Sequence, residues 1–192
     1  QNRLPEAAAA YSAYLRKNQR DTKVLFRLTE IYEWMNHSSA AYLLLKPLAD
    51  QNRLDKSLLI RAARLAEAAG KNTEAFSIVQ RLSRAYPREG RFKADMARLA
   101  AWSNQPQIAA GILAEISDED RESYEKALAA GNAFVEADQT KKALPYLERA
   151  IALRPDNVDL RRSLVKYYGW TGLRRKQVEN LFALEKKGAL QK

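Results

Sequence analysis

Three tryptophans set the first constraint on the fold, because they are evenly spaced along the chain. They are the only tryptophans among the 192 residues, and successive ones lie 68 positions apart, at Trp34, Trp102 and Trp170. Unrelated functional aromatics would not keep one register over such a distance. The spacing therefore indicates a structural repeat of 68 residues or of half that length.

A period of 34 residues also orders a column of small residues. The column is alanine until it breaks at Gln177, and its members are Ala7, Ala41, Ala75, Ala109 and Ala143. Small side chains at a fixed position allow two helices to approach closely. The column therefore indicates a close contact between helices at the same point of each repeat.

Two further columns with the same period predict where these helices turn and begin. One column holds residue types that tolerate a positive φ, as a tight turn between helices requires. Its members are Asn2, Asn36, Gly70, Asn104, Asp138 and Gly172. The other column holds residues that mostly suit the N-cap of a following helix. Its members are Asp21, Asp55, Glu89, Ser123 and Asn157.

The clearest copy of the repeat is Tyr124–Asn157. It resembles the tetratricopeptide repeat (TPR), a 34-residue pair of antiparallel helices. The matching positions are Gly131, Phe134, Ala143, Leu147, Ala150 and Pro155. The resemblance implies an all-α fold, a right-handed superhelical TPR solenoid of antiparallel helix pairs that takes up residues 1–192 as one segment. Residues 1–21 would form the second helix of a truncated repeat, followed by full repeats at 22–55, 56–89, 90–123, 124–157 and 158–191.

Composition narrows the classes of function. The chain has no cysteine, which excludes disulfides, thiolate metal sites and cysteine nucleophiles. Its single histidine, His37, is expected at a surface turn, and the sequence has no phosphate-binding or metal-binding motif. We therefore expect a protein that is not an enzyme, with no catalytic residues, no cofactor and no metal site.

The TPR resemblance places the partner-binding surface on the first helix of each pair, which lines a concave groove. On this sequence the groove positions give a basic set: Lys23, Arg27, Arg61, Arg64, Arg91, Arg98 and Lys166. With a formal net charge of +10, this set favours a protein partner with an acidic surface. The alternative is a solvated face on which interleaved acidic residues, such as Glu30 and Glu33, form ion pairs with the basic ones.

The tryptophans Trp34, Trp102 and Trp170 fall at position 13 of alternate repeats, at the end of the same groove positions. Each indole could be half-buried against a neighbouring first helix. Alternatively, each could be a platform for a sugar ring or for a side chain of the partner. We include all three among the candidate partner-binding residues.

Two known activities of helical repeats do not fit the sequence. Chaperone-binding TPR domains hold a terminal carboxylate with a lysine at position 5 of a repeat. This chain has Phe26, Ile60, Ala94, Leu128 and Arg162 there. RNA-binding pentatricopeptide repeats read bases with paired polar residues at fixed positions. No such column is present, so no nucleic acid partner is expected.

The amino-acid pattern within the repeats resembles that of a smaller group of TPR proteins. Runs such as YEWMNHSSAAYLLL and LAAWSNQPQIAAGIL resemble degenerate TPRs of bacterial envelope proteins. They are most similar to the periplasmic TPR region of outer-membrane exopolysaccharide exporters, with the Pel-polysaccharide type as first choice. This implies a periplasmic, non-catalytic scaffold that docks a polymer-modifying enzyme, such as a polysaccharide deacetylase or hydrolase, and guides polymer to an outer-membrane pore.

Several expectations qualify this resemblance. A charge of +10 would repel a cationic polymer, so contact with polysaccharide is expected to be weak. The chain starts without a Met and is expected to be a piece of a longer protein, whose other parts would supply any membrane contact. The alternatives are a general TPR adaptor of another envelope or cytoplasmic complex and, last, an RNA-binding helical repeat.

Overall fold

The computed structural model describes residues 3–189, and this part of the chain is built from α-helices. The prediction of an all-α fold of consecutive helix pairs is confirmed. Eleven helices lie within the described range: α1 (Leu4–Lys17), α2 (Thr22–Trp34), α3 (Ser38–Asp50), α4 (Lys56–Ala68), α5 (Asn72–Ala85), α6 (Gly90–Trp102), α7 (Pro106–Glu119), α8 (Tyr124–Glu136), α9 (Thr140–Leu153), α10 (Val158–Thr171) and α11 (Arg174–Lys186). Asn2 and the end of the last predicted repeat lie outside the described residues.

The chain divides into two compact units, Gln1–Asp95 and Met96–Lys192, and the boundary falls inside α6. In the first unit, each helix from α1 to α4 packs on the next helix along the chain, and in the second unit each helix from α7 to α10 does so. The first helices begin where the predicted repeats begin, at Thr22, Lys56, Gly90, Tyr124 and Val158. The division of the chain into five TPRs and the right-handed path of the stack stay predictions.

The turns inside the helix pairs have the backbone conformation that the sequence indicated. Asn36, Asn104 and Asp138 have φ values of 56°, 57° and 57°, and Gly70 and Gly172 have φ values of 71° and 75°. A single residue with a positive φ is enough to end a right-handed helix. Glycine, asparagine and aspartate adopt this left-handed backbone conformation at the lowest cost in free energy. The same residue types therefore recur at this point of each pair.

The N-cap column also has its predicted function in four of its five members. The side chains of Asp21, Asp55, Ser123 and Asn157 accept a hydrogen bond from the backbone N–H three residues ahead. This satisfies one of the four N–H groups that lack a partner at the start of a helix. The fifth member, Glu89, forms ion pairs with Lys56 and Arg91.

The carboxylates in these interactions make the stability depend on pH. Hydrogen bonds from the Leu58 N–H and the Ser57 hydroxyl lower the pKa of Asp55, and the hydrogen bond from Lys56 lowers the pKa of Glu89. The unfolded chain therefore takes up protons at a higher pH than the folded one. The stability that these groups contribute is present above about pH 4 and is lost as the pH falls through the lowered pKa values of the folded state.

We expect the urea concentration at half-unfolding to be constant near neutral pH and to decrease below about pH 4. Chemical unfolding followed by circular dichroism at a series of pH values measures this. Asp55→Asn keeps a side-chain acceptor at the N-cap but cannot be protonated, so the variant should lose less stability between neutral and acid pH. An equal loss in the variant and the parent protein would show that Asp55 does not contribute.

The alanine column that the sequence assigns to packing between helices lies in the core from Ala41 to Ala143. Ala41, Ala75, Ala109 and Ala143 are buried. In the last pair Gln177 takes this position, and Gly169 on α10 provides the space, because a Cβ atom at Gly169 would lie 2.8 Å from the Gln177 amide nitrogen. The break in the column is thus matched by a glycine on the facing helix.

Two arginines connect successive second helices, one in each unit. In the first unit, Arg81 on α5 donates a hydrogen bond to the Ala49 carbonyl at the end of α3, with an N–O distance of 2.9 Å, and contacts the Asn52 side chain. In the second unit, Arg149 on α9 donates to the Ser117 carbonyl at the end of α7 (3.2 Å) and contacts the Ser117 hydroxyl. A guanidinium at this point satisfies carbonyl groups in the last helical turn, where the helix dipole also favours a positive charge.

Candidate functional site

The basic residues predicted for the groove lie on the first helices of the pairs. Lys23 and Arg27 belong to α2, Arg61 and Arg64 to α4, Arg91 and Arg98 to α6, and Lys166 to α10. Lys23, Arg27, Arg64, Arg91 and Lys166 are exposed, whereas Arg61 and Arg98 are partly buried. Their role in binding a partner stays a prediction, but most of their charges are accessible.

Some of these charges are paired within the protein, as the alternative of ion pairs anticipated. Arg27 donates to Glu30 at an N–O distance of 2.9 Å on the same helix. Arg61 binds both carboxylate oxygens of Glu33 on α2, and these hydrogen bonds raise the pKa of its guanidinium. Arg91 pairs with Glu89 at 2.9 Å. In the first unit the exposed residues Lys23 and Arg64 are therefore better candidates for binding a partner than Arg61.

Each tryptophan exposes more than half of its surface. Trp34 is 64% exposed, Trp102 is 58% exposed and Trp170 is 61% exposed. This exposure favours the alternative in which each indole is a platform for a partner, and a role of the tryptophans in binding stays a prediction. Large exposed aromatic side chains at one repeated position are unusual, because burial of an indole stabilises a fold more than burial of most other side chains.

A cation lies over the indole ring in two of the three cases. The Arg98 guanidinium carbon lies 4.7 Å from the centroid of the Trp102 ring, and the Lys166 ammonium lies 4.6 Å from that of Trp170. In both pairs the cation precedes the tryptophan by one helical turn, a spacing at which side chains meet on one helix face. Each pair combines a positive charge with an exposed aromatic surface.

Trp34 has a different neighbourhood. It is one wall of an open groove of about 580 Å³ between α1 and α2. The groove has both apolar and charged lining residues, which are Arg3, Leu4, Ala7, Tyr11, Arg27, Glu30, Ile31 and Trp34. Because Arg27 is paired with Glu30, the groove has little net charge beyond Arg3.

Trp170 forms one wall of a second cleft, with a volume of about 420 Å³. The other residues around this cleft come from the turn before α9, from the start of α9 and from the end of α10. They are Asp138, Gln139, Thr140, Lys141, Lys142 and Thr171. The cleft therefore has an aromatic wall and a rim that bears two lysines.

The TPR resemblance places partner-binding residues on the first helix of each pair, and it therefore did not indicate Lys141 and Lys142. These lysines belong to a second helix. The sequence contained one signal that could have identified them: two adjacent lysines follow the turn in this repeat, whereas Thr73 and Glu74 hold the same positions two repeats earlier.

Metal sites and membrane-spanning helices were also considered for the described part of the chain. Between residues 3 and 189, no group of three or more His, Asp or Glu side chains is arranged to hold a metal ion. His37 is exposed at the turn before α3. None of the helices described is both long and apolar enough to cross a lipid bilayer.

The fold is shared with solved structures of MamA, a TPR protein. MamA AMB-1 matches with a TM-score of 0.58 and 16% identity, covering 83% of this chain and 85% of that one. MamA from Desulfovibrio magneticus RS-1 matches with a TM-score of 0.52 and 13% identity, covering 88% and 97% of the two chains. No protein-family model and no curated protein sequence matches the chain. At these identities the likeness shows a TPR-like fold.

Proposed function

We propose that this chain is a non-catalytic scaffold that binds a protein partner through the exposed side chains of its first helices. The observation that carries the proposal is the repeated exposure of Trp34, Trp102 and Trp170. Tryptophan and arginine are enriched among the residues that dominate binding energy at protein interfaces. A cation next to the indole adds attraction for an acidic partner.

The net charge of +10 supports a partner with an acidic surface. Lys23 on α2, Arg64 on α4 and Lys166 on α10 are exposed, so their charges are accessible to a partner. Such charges mainly increase the rate of association and select the partner. Aromatic side chains that become buried in the interface on binding mainly slow dissociation. The described residues supply both kinds of group.

A more specific proposal rests on the resemblance of the repeat sequences to those of exopolysaccharide exporters. The chain would be the periplasmic part of an exopolysaccharide export machine and would dock a polymer-modifying enzyme, such as a polysaccharide deacetylase or hydrolase. The positive net charge supports an enzyme rather than a cationic polymer as the main ligand. A secretory signal in any residues that precede this sequence would be an independent observation in support of the periplasmic location.

Charge reversal at two groove positions tests the scaffold function. We expect Lys23→Glu with Arg64→Glu to weaken binding of a purified deacetylase or hydrolase of the same export system by about 10-fold or more at low salt, because both residues are exposed on first helices. The difference should decrease at high salt, where charges are screened. Kd values from biolayer interferometry at two salt concentrations measure both effects.

A matched control separates a specific surface from general attraction. Lys17→Glu with Arg84→Glu makes the same change in charge on exposed residues of α1 and α5, which are second helices. This variant should bind nearly as tightly as the parent protein. Equal weakening in the two double variants would refute the groove as the binding surface. Tight binding of polysaccharide without binding of the enzyme would assign the surface to the polymer.

A further inference from the structure

We propose that the cleft beside Trp170 binds an acidic segment of a protein partner, with a carboxylate among its lysines and an apolar side chain on the indole. This inference rests on the proposed scaffold function and adds a site and a ligand chemistry to it. The site is defined by Trp170 and Thr171 at the end of α10 and by residues 138–142, which form the turn before α9 and the start of that helix.

The indole provides the apolar part of the site. Trp170 is 61% exposed although Lys166 lies over its ring and Tyr167 is in ring contact with it, at 5.5 Å between centroids. The remaining surface faces a cleft of about 420 Å³. That surface can contact one large apolar side chain of a ligand, which an open cleft of this size accommodates.

The charge around the cleft selects the ligand. Lys141, Lys142 and Lys166 are exposed, and Asp138 is the carboxylate among the residues that line the cleft. A neutral ligand would leave an excess of ammonium groups without a charge partner. A carboxylate between them would complement this charge, and lysine is a flexible point charge that can adjust to it.

The Trp34 and Trp102 sites differ in ways that make Trp170 the strongest candidate. The groove at Trp34 is lined by Arg3 and by one ion pair, Arg27 with Glu30, whose charges neutralise each other. Trp102 shares the stacked cation, through Arg98. Trp170 combines a stacked cation, two further lysines and a defined cleft. An acidic peptide offers both a carboxylate and a separate apolar side chain to these groups.

Fluorescence anisotropy with a labelled synthetic peptide of alternating Glu and Leu residues tests the proposal. We expect saturable binding at low salt that is at least about 10-fold weaker for the same peptide with Gln in place of Glu. Lys141→Gln with Lys142→Gln should weaken binding about 5-fold or more. Trp170→Ala should weaken it by about 10-fold, as truncation of an aromatic anchor does.

Two controls match these variants. Lys186→Gln with Arg175→Gln removes the same charge from exposed positions on α11, and Phe182→Ala removes an aromatic side chain that is 60% exposed on the same helix. Both should bind the peptide as the parent protein does. Losses as large as those of the cleft variants would overturn the proposal, and so would equal binding of the Gln peptide.

A uronic acid polymer, polygalacturonate, is the competing probe, because it joins a carboxylate to a sugar ring that could stack on Trp170. Binding of this polymer that depends on Trp170, without peptide binding, would overturn the proposal in favour of a carbohydrate site. If Lys23→Glu with Arg64→Glu weakens the enzyme complex while the parent protein binds neither probe, the inference fails and the scaffold function stands. Peptide binding in the cleft without any enzyme complex supports the inference and refutes the proposed enzyme partner.

Discussion

Replacing Gly131 by alanine is expected to lower the free energy of unfolding by about 1–3 kcal/mol, the range for adding a methyl group to a well-packed contact. A Cβ atom at this position on α8 would lie 2.5 Å from Cγ of Leu147 on α9. Leu147 is completely buried, so its side chain cannot move into solvent to make room. Leu147 would have to adopt another rotamer inside the core, or the two helices would have to separate. Urea unfolding followed by circular dichroism measures the loss.

Gly111→Ala is the matched control for this change. Gly111 also lies inside a helix, α7, but a Cβ atom there would meet no neighbouring atom within 4 Å. This variant should gain about 0.5–1 kcal/mol, because alanine favours the helix over glycine. A second test is the double variant Gly131→Ala with Leu147→Ala, whose loss should be smaller than the sum of the single losses. Similar stabilities of Gly131→Ala and Gly111→Ala would contradict the close approach of the helices.

Arg149→Met should destabilise the protein by about 2–3 kcal/mol, as expected when a charged donor is removed from partners away from water. The Arg149 side chain is 16% exposed and donates to Asp118 at 3.0 Å and to the Ser117 carbonyl at 3.2 Å. Ser117 is completely buried, so its hydroxyl would lose this donor without gaining water. Methionine keeps an apolar stem of similar length, which isolates the effect of the guanidinium. Urea unfolding curves for the variant and the parent protein measure the difference.

Arg175→Met removes the same group from an exposed ion pair and provides the reference. Arg175 pairs with Glu179 on α11, and their side chains are 93% and 57% exposed. Such pairs contribute at most about 0.5 kcal/mol. Arg149→Lys should lie between the two, because one ammonium cannot contact all the acceptors of the guanidinium. A loss for Arg149→Met no larger than for Arg175→Met would show that this arginine does not stabilise the packing of α9 on the end of α7.

The sequence predicted those parts of the fold that depend on local chemistry. A residue that must adopt a positive φ, such as Asn104 or Gly172, is restricted by its own backbone, so its type recurs at the same position. An N-cap such as Asn157 interacts with an N–H group three residues ahead. Both requirements lie within a few residues and are therefore visible as columns with a period of 34.

Other features depend on neighbours that are distant in sequence. The periodicity of the sequence predicted the helix face on which the tryptophans lie. It did not predict how exposed their side chains are, because a spacing of 34 residues is compatible with a buried or an exposed indole. The space that Gly169 provides for Gln177 depends on the contact between α10 and α11. Lys141 and Lys142 were not predicted because the TPR resemblance places partner-binding residues on first helices, while the cleft at Trp170 includes the start of a second helix.

The arginine links between second helices have a consequence for changes in chain length. Arg81 and Arg149 contact the second helix of the preceding repeat, and the intervening repeat has Glu115 where they have arginine. Removing only the repeat at 90–123 would bring Arg149 next to the end of α5, and the repeat that follows α5 in the parent protein has Glu115 at the equivalent position. Removing the two repeats at 56–123 would instead bring Arg149 next to the end of α3, which accepts a hydrogen bond from an arginine in the parent protein, and would keep tryptophan in alternate repeats. Between α3 and α9 we therefore expect the removal of a pair of repeats to be tolerated better than the removal of the repeat at 90–123 alone.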